Sequence, residues 1–309
     1  MIKDFIENQK IKTALLVSSV SKGINSNTGK PYLNISLQDA SGTIEGKKWE
    51  VNDDDFDLII PGRVILITGE VLKYRNANQI KITSAVEMQE PYQLQDFIKT
   101  APIEQETLFK NIMSYVLSIN NDHIRTFVDT MISRHVEAFM NYPAASRNHH
   151  EYHAGLMHHA YGMLQLADAI CNIHPEIDRD LLVAGVVLHD IGKIIELSGP
   201  ILPRYTFEGK LIGHISIMSY MIKDLAKELN YDEEWVTLLQ HMILSHHGKY
   251  EYGSPVLPST LEAELLHEID NMDSKINMFN KALNELEEGS FSGKQFSLDE
   301  RVIYKPNKR

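Results

Sequence analysis

The sequence predicts a multidomain α+β chain, a five-stranded β-barrel followed by an all-α domain. Three observations carry this reading. The chain has 309 residues, enough for about two domains at roughly 150 residues each. Its first ninety residues alternate apolar and polar side chains in short runs broken by turn residues. Beyond Glu90-Pro91 the apolar residues recur instead at three and four.

The barrel strands are predicted at 14–20, 32–38, 43–49, 64–72 and 79–86. In the second, Leu33, Ile35 and Leu37 alternate with polar residues, which marks a half-buried strand. Asp39-Ala40-Ser41-Gly42 and Pro61-Gly62 supply breaks between strands. Five strands in so short a span point to a small barrel. Further on, Leu108, Ile112, Tyr115, Val116 and Ile119 share one helical face, as do Phe127, Met131, Val136 and Phe139. After Pro143, helices are predicted around 153–172, 179–190, 211–229, 233–246 and 259–286. The expected division is a barrel domain over 1–88, linker and accessory helices over 89–142, the main helical domain over 143–289, and an irregular tail over 290–309.

Composition narrows the class. Apolar residues make up 43% of the chain and charged residues 23%, ordinary globular values. The net charge of −12 argues against a protein that coats nucleic acid by bulk electrostatics. Residues 1–90 hold 11 Lys/Arg against 12 Asp/Glu, leaving 19 against 30 for the remainder, so the acidity belongs to the helical part. Cys171 is the single cysteine, which precludes an internal disulfide, and the first residues lack an apolar leader; a reducing cytoplasm is expected. The apolar run Leu181–Leu188 is too short to span a bilayer, so no membrane association is expected.

All 14 histidines lie between His123 and His267, and five fall between His149 and His159. The strongest chemical signal is His189-Asp190, which follows the apolar run that would bury a helix and hold both side chains rigidly. An imidazole and a carboxylate so placed can ligate neighbouring ions, the carboxylate bridging them. Further candidate ligands stand on separate predicted helices: His159, His214, His246 with His247, and Asp270. Any one histidine near a helix end is more often a surface or capping residue; the set together is what points to metal. Imidazole and carboxylate donors without thiolate suit Mn, Fe, Co or Ni better than structural zinc. His149, His150 and His153 form either a proton-shuttling or phosphate-binding rim to the site, or merely an exposed loop.

His159, His189-Asp190 and Asp270 resemble the metal-binding pattern of the HD phosphohydrolase superfamily. Gly155-Leu-Met-His-His159 is similar to the approach to its first ligand, and Asp270-Asn-Met-Asp273 to its last. His214 and His246-His247 are similar to the subset that holds two ions, so the resemblance implies one or two divalent cations. Lys193 matches a family lysine that touches substrate phosphate. Asp190 and Lys193 are therefore the expected catalytic residues.

The segment from Lys30 to Leu33 and that from Leu37 to Trp49 resemble an OB-fold. Such barrels hold single strands by stacking bases on aromatics and pairing phosphates with Lys or Arg. Tyr32, Trp49 and Tyr74 are the stacking candidates; Lys22, Lys30, Lys47, Lys48, Lys73 and Arg75 are the phosphate candidates. The alternative is that Tyr32 and Trp49 are barrel core. An OB-fold followed by an HD domain, with Asn148-His149-His150 ahead of Gly155 and Gly253-Ser254-Pro255 after the histidine pair, resembles the YhaM family of bacterial 3′→5′ exoribonucleases. That resemblance implies manganese-dependent removal of nucleotides from the 3′ end of single-stranded RNA, with DNA as a second substrate candidate. Homo-oligomerisation is left open. Two rival readings are a nucleotide phosphohydrolase or cyclic-nucleotide phosphodiesterase, and a non-enzymatic single-strand or replication-origin DNA-binding protein.

Overall fold

Strand alternation in the first hundred residues becomes a closed barrel in the computed structural model, which describes residues 1–26, 28–75, 77–145 and 150–307. Strands β1 (Lys10–Ile24), β2 (Pro31–Asp39), β3 (Gly42–Lys48), β4 (Val64–Tyr74) and β5 (Ala77–Glu87) are ordered β1-β2-β3-β5-β4 around it. β3 and β5 pair in parallel and the other neighbours pair antiparallel. Leu33, Ile35 and Leu37 of β2 point inward and are buried, with Leu15, Val17, Ile65, Ile67 and Ile80 around them. Each such side chain contributes about 1.5–3 kcal/mol of burial energy. Helix α1 (Asp53–Leu58) lies between β3 and β4 and opens on a reciprocal cap, Asn52 accepting from Asp55 N–H and Asp55 from Asn52 N–H. Six residues are too few for a helical period to show, so α1 has no counterpart in the sequence pattern.

The chain divides into two units, Met1–Thr100 and Ala101–Arg309. Residues 89–100 go with the barrel, where Gln38 Nε2 donates to the Phe97 carbonyl at 3.2 Å.

In the second unit, α2 (Gln105–Leu117), α3 (Asp122–Arg134) and α4 (Val136–Asn141) precede α5 (Gly155–Ile173) and α6 (Arg179–Leu188). Then come α7 (Lys193–Glu196), α8 (Phe207–Leu211), α9 (His214–Glu228), α10 (Glu234–Ser245) and α11 (Leu261–Asn284). α6 is the axis of this unit: every residue from Leu181 to Leu188 is buried, against α2, α3, α5, α10 and α11. Asp178 starts it by accepting from Leu181 N–H at 3.0 Å. The accessory helices pack into the same core, since Leu108, Ile112, Phe127 and Met131 join the α5 and α6 side chains in one cluster.

The expected irregular tail is instead ordered as a hairpin, β6 (Phe291–Gln295) and β7 (Arg301–Tyr304). Its two strands are too short to show alternation; Leu298 and Ile303 are buried, and the hairpin lies against α11. Among the described residues no helix is long and apolar enough to cross a membrane.

Gly192, in the turn between α6 and α7, decides how closely α9 approaches that turn. A Cβ there would stand 2.3 Å from the His214 carbonyl oxygen and 3.1 Å from Met218 N, both backbone atoms that cannot step aside. Gly192→Ala is therefore expected to lower stability by about 1–3 kcal/mol in urea denaturation. Gly199→Ala, which meets nothing within 4 Å, should stay within about 0.5 kcal/mol of the parent; equal effects would refute the close approach.

Candidate metal centre

Five helices deliver the cluster. His159 sits in the first turns of α5, His189 and Asp190 in the turn after α6, His214 at the first residue of α9, His246 and His247 just past α10, and Asp270 within α11. Asp190 lies at the centre. Its Oδ2 is 3.3 Å from His189 Nε2, and its Oδ1 is 3.5 Å from His214 Nε2 and 3.9 Å from His246 Nε2. Asp270 Oδ1 stands 3.1 Å from His159 Nε2. His247 packs edge-on to His246, ring centroids 4.4 Å apart, and 5.4 Å from the His214 ring.

The orientation of every ring follows from its other nitrogen. His189 Nδ1 lies 2.9 Å from the Val186 carbonyl, His246 Nδ1 2.7 Å from that of Ile243, and His247 Nδ1 2.7 Å from that of Tyr252. His214 Nδ1 meets Glu196 Oε1 at 3.0 Å, and His159 Nδ1 meets Asp273 Oδ2 at 2.7 Å. A carbonyl or carboxylate can only accept, so each Nδ1 carries the proton. His189, His214, His246 and His247 then turn a bare Nε2 to the cluster, whereas His159 Nε2 also faces a carboxylate, Asp270 Oδ1, and donates to it while no cation is bound. Nε2 of His189, His214 and His246, and Oδ1 of Asp190, are buried without a hydrogen-bond partner among the described residues. Buried polar atoms left so are costly, about 1–3 kcal/mol each, unless an ion satisfies them. Two groups of donors, His159 with His189 and Asp190, and His214 with His246 and His247, each fit a divalent cation.

Burial would raise the Asp190 carboxyl, but Lys193 and the neighbouring imidazoles outweigh it and hold it well below its ordinary value. Burial, then the adjacent His247 and His189, push His246 well down, and burial lowers His247 likewise. His159 goes the other way: burial would lower it, yet Asp270 and Asp273, one at each ring nitrogen, raise it to about 10. Lys193 is buried and donates to Asp190 Oδ2 at 2.6 Å. With Asp190 and Asp270 it lines a cleft of about 430 Å³, whose other walls include Tyr252, Asn271 and Ser297.

His150 is buried, not on an exposed loop: its Nε2 meets Asp273 at 2.8 Å behind His159. His153 is half-buried, its carbonyl accepting from Ala101 N–H at 3.0 Å. Asn148 and His149 lie outside the described residues. Of the neighbouring pair, His159 rather than His158 faces the cluster; His158 hydrogen-bonds Tyr152. Sequence reasoning missed Glu196 and gave Asp273 no role. Asp273 was findable, three residues past Asp270 on one helical face; Glu196 reaches His214 across 18 residues and left no local signal.

On the barrel, Tyr32 and Trp49 lie ring to ring at 4.9 Å, with Lys47 Nζ 4.6 Å from both centroids. Gly23 makes this possible, because a Cβ there would stand 2.3 Å from the Tyr32 ring. Trp49 is 40% exposed and Tyr32 half-buried, so neither is core. Tyr74 is exposed, with the Arg75 guanidinium 5.3 Å from its ring, at the β4–β5 turn. Lys22, Lys30 and Lys73 are exposed. Lys48 departs from expectation: it is buried, its Nζ held by Asp55 at 2.9 Å and the Glu50 carbonyl at 2.6 Å, and has no reach to a phosphate.

Because a carboxylate faces each ring nitrogen of His159 and favours its protonated form, a cation that takes its Nε2 must displace a proton. Divalent-cation affinity is expected to fall as pH drops from about 8 to about 6, by up to about tenfold per unit for each proton displaced. Calorimetric Mn²⁺ titrations in buffers of different protonation enthalpy should register proton release. An affinity independent of pH would remove His159 from the ligand set.

Two family models bracket these features: OB-fold nucleic acid binding domain over residues 14–88 and HD domain over residues 156–275. A third, TraI_2, named for a helicase, matches residues 95–175. A solved structure, the second OB-fold domain of replication protein A from Methanococcus maripaludis, is 15% identical with a TM-score of 0.24, covering 30% of this chain and 97% of that one. The protein named 3′-5′ exoribonuclease YhaM from Geobacillus sp. (strain WCH70) is 43% identical over 96% of this chain and 92% of its own length. That of the same name from Bacillus subtilis (strain 168) is 45% identical over 96% of this chain and 95% of its own. Identity at that level over 96% of the chain, a span that includes both barrel and metal cluster, means that this chain belongs to the YhaM family of 3′-5′ exoribonucleases.

Proposed function

We propose that this protein is a metal-dependent 3′-5′ exoribonuclease that shortens single-stranded RNA, with single-stranded DNA as a second substrate. The observation that carries the reading is the convergence of imidazole Nε2 atoms on the buried Asp190 carboxylate beside an open cleft. Asp190 would bridge two cation sites, His159, His189 and Asp270 serving one, His214, His246 and His247 the other. The family resemblance points to manganese, and Fe, Co or Ni also suit a mixed nitrogen and oxygen donor set. Such cations supply an acidified water and neutralise charge on the phosphodiester. Lys193 spends one N–H on Asp190 and has two left for a phosphate oxygen.

Tyr32, Trp49 and Lys47 form a stacking surface with a cation over it, suited to a base and its phosphate whatever the sequence. Lys30 at one barrel turn, and Lys73, Tyr74 and Arg75 at another, extend that capacity. Since barrel and metal cluster share one chain, a strand held by the first is kept at high effective concentration for the second. The single cysteine fits a cytoplasmic location.

Asp190→Ala is expected to lower RNA hydrolysis by about a thousandfold or more while leaving strand binding by the barrel intact. Near-parental turnover in a folded variant would sink the metal reading. On 5′-labelled single-stranded RNA the parent should yield a stepwise ladder; a single internal cut or no product would refute exonucleolysis. Replacing Tyr32 and Trp49 together by Ala should raise KM for long RNA about tenfold or more, from about 1–3 kcal/mol per stacked base. Hydrolysis of bis-p-nitrophenyl phosphate should be unchanged, and equal losses on both substrates would remove the barrel from substrate handling.

A further inference from the structure

Behind His159 runs a chain of polar groups for which the proposed hydrolysis has no use. Tyr152 Oη is 2.6 Å from His158 Nδ1 and 2.7 Å from His150 Nδ1. His150 Nε2 is 2.8 Å from Asp273 Oδ2, and the same oxygen lies 2.7 Å from His159 Nδ1. With a cation on His159 Nε2, one placement of protons satisfies every link while keeping the imidazoles neutral. Asp273, ionised, can only accept, so His150 Nε2 and His159 Nδ1 both donate to it. His150 Nδ1 then has only its lone pair, and accepts a hydrogen bond from the Tyr152 hydroxyl. The Tyr152 oxygen in turn accepts from His158 Nδ1. Donation therefore runs in one direction, from His158 to Asp273, and the chain ends by fixing which nitrogen of His159 is bare.

Gly162 gives an independent sign that the fold leaves this space to the Asp273 side chain. It lies on α5, three residues past His159, and a Cβ there would fall 2.5 Å from Asp273 Oδ1. The His150 backbone is anchored as well, its N–H donating to Asn277 Oδ1 at 3.1 Å on the same helix that carries Asp273.

We propose that Asp273, itself held by the His158–Tyr152–His150 chain, is a positioning residue that sets the tautomer and ring orientation of His159 for cation binding. The proposal rests on the metal reading above. It is a carboxylate–histidine–metal arrangement, in which loss of the outer carboxylate typically costs 10–100-fold in metal affinity.

Two variants of the full chain test it by Mn²⁺ calorimetry. Asp273→Asn keeps the shape and can keep a neutral carbonyl acceptor at the shared position, but removes the charge that strengthens both imidazole bonds, and should weaken Mn²⁺ binding about tenfold or more. Gly162→Ala leaves every group of the chain in place but pushes the end of the Asp273 side chain aside, and should weaken binding in the same direction. The metal-free melting temperature separates this from a folding defect: a displaced Asp273 should cost more in Mn²⁺ affinity than in metal-free stability, whereas a merely structural defect would lower the melting temperature and leave the affinity of the folded fraction parental. Parental Mn²⁺ affinity in both variants overturns the proposal, as does a parent that binds no divalent cation. Because the readout is affinity, failure of the parent to cut RNA would count against the nuclease reading alone and leave this comparison decisive.

Discussion

The helical unit is organised around a debt in hydrogen bonding. Nε2 of His189, His214 and His246 and Oδ1 of Asp190 are removed from water and given no hydrogen-bond partner among the described residues, an arrangement that costs folding free energy at each atom. Side chains left to themselves would rotate to relieve it. They are prevented because each Nδ1 is already committed to a carbonyl or a carboxylate, and because the supporting helix α6 is buried along its length. A divalent cation is the group that satisfies several lone pairs at once from one point.

The same constraint explains how an acidic unit can handle a polyanion. The excess of Asp and Glu lies beyond residue 90, where, on the reading proposed above, Asp190 and Asp270 would hold cations and Asp273 would orient a ligand. Bound cations would invert the local field just where a phosphodiester is cleaved. On the proposed reading the barrel would need no strong net charge, because Lys47 stands over two aromatic rings and would contribute where a stacked base and its phosphate meet. Each unit thus meets the substrate's charge locally.

Much of this was legible in the sequence, unevenly and for physical reasons. The strands of the barrel and the long helices announce themselves through apolar periods of two and 3.6, because burial of one face is a local demand on sequence. α1 and the C-terminal hairpin were hidden: six residues in one case and strands of five and four in the other are shorter than the pattern that would reveal them. Lys48 reads like its neighbour Lys47, and only the Asp55 carboxylate brought against it by the fold turns one into a buried ion pair while the other stays over the aromatic pair. His246 and His247 could not be ranked; the structure buries the first against Asp190 and sets the second beside His214.

The sequence by itself determined which donor types the site would hold, in what order, and on which helices, because those are properties of residue identity and local spacing. Tertiary structure alone decided which nitrogen of each imidazole faces the cluster and which carboxylate stands behind it. Those choices depend on contacts such as that between His159 and Asp273, 114 residues apart, and no local pattern encodes a hydrogen bond whose partners meet only once the core has packed.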